Sequence, residues 1–136
     1  MSIKLKWLVE NKVFYVQFSE DISFEEMNTV TNAVIEKVEK IPSTIPLIHF
    51  VINNSQVTSF PRDINKWNTI LKPLYKNPRT GWLVLVSNTN PIIQMIFTVI
   101  AQLHNVRHRS FNNIEEVEKF LKHVDIALTD FLMTEV

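Results

Sequence analysis

Four histidines, His49, His104, His108 and His123, are the side chains of this 136-residue sequence best suited to acid–base or metal chemistry. Zinc sites built on helices need ligands at fixed offsets, such as the His-Glu-x-x-His pair, and no two histidines here form that helical motif. His49 falls inside an apolar run, whereas His104 and His108 straddle a helix-to-strand turn that sets no geometry. Asp21, Asp63, Asp125 and Asp130 stand in no context that marks a Ser-His-Asp arrangement. Glu25 and Glu26 follow Ser23, where a helix cap accounts for them. The chain has no cysteine, which excludes thiol nucleophiles, disulfides and cysteine-bound metals. Its single glycine, Gly81, leaves no room for the glycine-rich loops that cradle nucleotide phosphates. A turn of positive φ before the apolar run that follows is the expected use of that glycine. These residues predict a protein that is not an enzyme and that uses no metal and no cofactor.

A second kind of chemistry is available at polar segments that follow apolar runs: Ser19-Glu20, Asn53-Asn54-Ser55, Ser87-Asn88-Thr89-Asn90 and Ser110. In open α/β sheets, ligands bind beyond the carboxyl ends of the strands. Hydroxyls and amides there, beside backbone N–H groups at a helix start near Pro91, would suit an anion or a polar partner. The same residue types also serve ordinary turns and caps. The candidate binding residues are Asn54, Ser55, Asn88 and Thr89, with Phe60 and Arg62 on the neighbouring loop.

The elements that would position these groups follow from hydrophobic periodicity. Ile3, Leu5, Trp7 and Val9 alternate with lysines, and Glu10-Asn11 turns the chain into Lys12–Phe18, which predicts an antiparallel hairpin. Ser23-Phe24-Glu25-Glu26 caps a helix whose core stripe is Met27, Val30, Val34, Val38 and Ile41, ending before Pro42. Leu47–Ile52 reads as a buried parallel strand, followed by a polar loop from Asn53 to Arg62. A helix from about Asp63 carries Ile64, Trp67, Leu71 and Leu74, with Pro73 and Pro78 near its end. Trp82–Val86 is a second buried strand, Ile92–Leu103 a strongly apolar helix and Val106–Phe111 a polar edge strand. Asn113 caps a last helix marked by Ile114, Val117, Leu121, Val124, Leu128 and Phe131, which would run close to the C-terminus. The order is β-β-α-β-α-β-α-β-α in one α/β domain spanning residues 1–136. Right-handed crossovers place four parallel strands beside one antiparallel N-terminal strand in a mixed sheet.

Composition narrows the partners. Fourteen basic and fourteen acidic residues cancel, so the excess positive charge that nucleic acids and anionic membranes require is missing. No nucleic-acid partner and no stable membrane insertion are expected. The N-terminus alternates and lacks the apolar block of a signal peptide, and Ile92–Leu103 is too short to span a bilayer. A soluble cytoplasmic protein is the expectation.

Element order and length resemble the STAS fold, especially the SpoIIAA-like and STAS/SEC14-like small proteins, over nearly the whole chain. Val106-Arg107-His108-Arg109-Ser110-Phe111 and the helix Ile114-Glu115-Glu116-Val117-Glu118-Lys119-Phe120-Leu121 are similar to the closing strand and helix of that group. The resemblance implies a regulatory or protein-interaction module. Anti-sigma-factor antagonists of this fold carry a phosphorylated serine after the third strand, in an Asp-Ser-Ser-Gly context. Here Arg62 and Asp63 fall roughly at that site and no glycine is present, so no phosphoswitch is expected at Ser59 or Thr58. The SEC14-like side of the resemblance implies the alternative of a small apolar or lipid-like ligand.

The Ile92–Leu103 helix adds its own signal. Ile92, Ile93, Ile96, Val99, Ile100 and Leu103 make a core arc, and Met95, Phe97 and Ala101 widen it beyond what one sheet face needs. Neighbouring helices can cover the extra flank. The alternatives are a subunit interface flanked by Met95 and Phe97, giving a homodimer, or a wall of an apolar ligand cleft.

Overall fold

The computed structural model describes residues 2–45, 47–86 and 91–125. Its elements are β1 (Ser2–Val9), β2 (Val13–Asp21), α1 (Phe24–Glu39), β3 (Ile48–Ser59), α2 (Ile64–Tyr75), β4 (Thr80–Val86), α3 (Pro91–Leu103), β5 (His108–Phe111) and α4 (Ile114–Val124). The five strands form one sheet in the order β1-β2-β3-β4-β5. β1 is antiparallel to β2, and β2 through β5 run parallel, as the hydrophobic pattern predicts.

Sequential parallel strands wound in one direction need every right-handed crossover helix on the same face. Accordingly α1, α2 and α3 share one face. There Phe14, Phe18, Phe50, Ile52, Leu83 and Leu85 meet Met27, Val34, Trp67, Leu71, Ile93 and Phe97 in the larger core. α4 follows the last strand and is free of that constraint. It covers the opposite face, placing Val117 and Leu121 on Val13, Tyr15, Val51, Val84 and Val86. Each fully buried aliphatic or aromatic side chain contributes about 1.5–3 kcal/mol, so these two layers dominate the stability.

Helix ends follow local chemistry. The Ser23 hydroxyl accepts the Glu26 N–H as the expected N-cap and donates to the Glu26 carboxylate. Asp63 and Asn113 cap α2 and α4 in the same manner, with Asn113 accepting from the Glu116 N–H. At the end of α3, Asn105 adopts φ 57°. The Asn105 N–H then reaches the Gln102 carbonyl and the Val106 N–H the Ala101 carbonyl, the Schellman pattern. That turn takes up Val106, so β5 begins at His108 rather than at Val106.

Three expectations are corrected. The segment after Ile52 is not a loop: β3 continues to Ser59, because β2 also continues and pairs Ser19 with Gln56, Glu20 with Val57 and Asp21 with Ser59. Buried Val57 anchors this two-stranded extension. Gly81 has no positive φ and lies within β4, where its missing side chain answers a close approach described below. α4 ends at Val124, with Asp125 extended, short of the longer helix expected from Leu128 and Phe131. Those two residues lie outside the described residues.

Candidate functional site

The predicted surface at the carboxyl ends of the strands is drawn out along β3. With a rise of about 3.3 Å per residue, Asn54 and Phe60 stand roughly 20 Å apart along the strand instead of lining one crevice. Asn54 is buried, and neither Oδ1 nor Nδ2 of its amide finds a hydrogen-bond partner. Ser55 is half-buried, its N–H held by the Asn53 side chain. Asn53 also donates to the Tyr15 hydroxyl, which donates to Gln17, a buried-to-rim polar chain across β2 and β3. Burial raises the Tyr15 pKa, partly offset by the Asn53 bond. Phe60 packs on the larger core, and the exposed Arg62 guanidinium stacks over its ring at 5.7 Å. Asn88 and Thr89 lie outside the described residues. The structure therefore brings Phe60 and Arg62 together and keeps Asn54 apart from them.

Beside Phe60, the Ser59 and Thr58 hydroxyls both donate to the Asp21 carboxylate, at 2.5 and 3.3 Å. The Trp67 indole N–H donates to the Pro61 carbonyl at 2.6 Å, so this segment is tied to a fully buried ring.

α3 departs from its expected orientation. Its buried residues are Ile93, Ile96, Phe97, Ile100 and Ala101. Phe97 is wholly buried with its ring 5.6 Å from that of Trp67, so it belongs to the core and not to an interface. Met95 is 53% exposed, and Val99 and Leu103, read as core, are 40% and 63% exposed. These three sit at i, i+4 and i+8, one above another on a single ridge about 12 Å long. No residue of α3 is charged. An outer helix face normally carries charges, so an uncharged exposed ridge of Met, Val and Leu sets this surface apart.

The histidines are drawn into structural contacts. His49 is buried, accepts the Trp82 backbone N–H at Nδ1 (3.0 Å) and faces the Asp125 carboxylate at Nε2 (3.0 Å). An Nδ1 that accepts leaves the proton on Nε2, which donates to Asp125, so neither ring nitrogen is free to exchange a proton with a substrate. A Cβ on Gly81 would lie 2.6 Å from Nδ1, which explains the glycine. His104 contacts Asn68 through Nε2 at 2.7 Å, and burial followed by the charges of Lys76 and Lys72 lowers its pKa. Among the described residues, no group of three or more His, Asp or Glu side chains could hold a metal ion, and no helix is long and apolar enough to cross a membrane.

No family model and no curated protein matches this sequence. Solved structures match the fold, among them the following two. One is an uncharacterised protein of the DUF3478 family with a SpoIIAA-like fold from Shewanella loihica PV-4, with a TM-score of 0.62 at 10% identity, covering 88% of this chain and 92% of that one. The other is the anti-sigma factor antagonist SpoIIAA in its unphosphorylated form, with a TM-score of 0.54 at 6% identity, covering 88% and 96%.

Proposed function

From a chain with the SpoIIAA-like (STAS) fold, we propose a non-enzymatic interaction module that self-associates through the outer face of α3. The uncharged ridge of Met95, Val99 and Leu103 carries this reading. A second copy is the partner that suits it. A two-fold axis at Val99 sets Leu103 of one protomer against Met95 of the other, an isologous contact that needs no further residue type. The chain has no net charge, so long-range repulsion does not oppose that encounter. His49, with both nitrogens engaged, supports a role without acid–base catalysis. Regulation by phosphorylation is not part of the proposal, because a phosphate on Ser59 or Thr58 would face the Asp21 carboxylate.

Amide exchange at low and at high protein concentration tests the proposal. Slower exchange in the Met95–Leu103 segment at high concentration, with α1 unchanged, is the expected result. Exchange in α3 that is independent of concentration would refute it.

A further inference from the structure

The edge where the parallel strands begin carries a cavity of about 360 Å³. It lies at the opposite end of the sheet from Asn54, because Lys12, Leu47 and Arg107 precede β2, β3 and β5. Its volume falls in the range of small-ligand sites. Ile45, Leu47, Trp82 and Val124 supply half-buried apolar walls, and the buried His49 ring with Asp125 supplies a polar floor. The floor is already satisfied, since His49 donates to Asp125 and accepts from Trp82.

The remaining charge is positive. Lys12 and Arg107 line the same cavity, and neither enters an ion pair among the described residues. The Arg107 guanidinium rests over the Trp82 ring at 5.6 Å, which holds it near the cavity while leaving its N–H groups available. Two cations against the one Asp125 carboxylate leave an excess of one positive charge beside apolar walls, which matches a ligand with one anionic end and one apolar body.

We propose that this cavity binds a small organic acid, a monocarboxylate whose carboxylate meets Lys12 and Arg107 and whose apolar body lies against Ile45, Leu47 and Val124. The site is separate from α3 and does not depend on self-association.

Calorimetric titration of the full chain with hexanoate, hexan-1-ol and inorganic phosphate tests it, with heteronuclear NMR shifts locating the contact. Saturable hexanoate binding with shifts at Lys12, Trp82 and Val124 is expected. Hexanol should bind about tenfold more weakly, as should hexanoate to Arg107→Gln or Lys12→Gln, since a lost charge-assisted hydrogen bond is worth about a factor of ten. Phosphate should not compete, because it lacks the apolar body. Leu47→Trp, which fills the cavity, should abolish binding. Absence of saturable binding, equal affinity for hexanol, displacement by phosphate or shifts confined to other surfaces would each overturn the proposal.

Discussion

At the level of single side chains, His49 and Gly81 are interlocked: the imidazole occupies the space that any Cβ at position 81 would need. Gly81→Ala must push a buried ring off both its hydrogen bonds, so it is expected to destabilise by about 2 kcal/mol, in the range of overpacked cores. Chemical denaturation measures it, and a loss below about 0.5 kcal/mol would mean that the ring moves freely. Tyr75 presents the reverse case. Its hydroxyl is buried without a partner, and burial raises its pKa. Tyr75→Phe removes an unpaired polar group and should leave stability unchanged or raise it by up to about 1 kcal/mol; a clear loss in the same assay would reveal a hidden partner. The burial of His49 was legible in the run Leu47–Ile52. Its partner was not, because Asp125 lies 76 residues away and only the packing of α4 brings it near. The role of Gly81 was missed for the same reason, since it depends on a neighbouring strand.

At the level of elements, Arg79 is the residue whose part in the fold the local sequence least betrays. Its guanidinium donates to the carbonyls of Val38, Ile41, Pro42 and Ile45, closing the C-terminus of α1 from the start of β4. Of these carbonyls Val38 belongs to the last turn of α1, the negative end of the helix dipole, and Ile41, Pro42 and Ile45 lie in the turn that follows. Arg79→Ala should cost roughly 2–4 kcal/mol, as expected for several bonds to a charged donor. Arg79→Lys should recover only part of it, because an ammonium cannot span four carbonyls as a planar fork does. Thermal unfolding of the two variants decides this, and equal loss in both would argue against the fork. Caps and core stripes at Ser23, Asp63 and Asn113 were readable because they depend on residues a few positions apart. The facing of α3 was not: a helix apolar on nearly every side has no phase in its pattern, so Phe97 and Val99 exchange core and surface. The Asn53–Ser59 segment misled for a related reason, since its polar residues read as loop until β2 pairs with it.

At the scale of the molecule, the sheet separates two ends and two faces. Three helices pack on one face, and α3 carries an uncharged outer ridge. Strand order was legible because sequential parallel strands leave few alternatives. The exposure of the α3 ridge was not legible, since an exposed ridge and a buried one share the same residue types. Sedimentation velocity of the wild-type protein beside Leu103→Glu is therefore the most direct measurement. Leu103 is suited to it because it is exposed, so its replacement should shift thermal stability by no more than about 0.5 kcal/mol, unlike Phe97 in the core. A wild-type dimer at high micromolar concentration and a folded Leu103→Glu monomer is the predicted result. A wild-type protein that sediments as a monomer at that concentration, or a Leu103→Glu variant that remains dimeric, would contradict it.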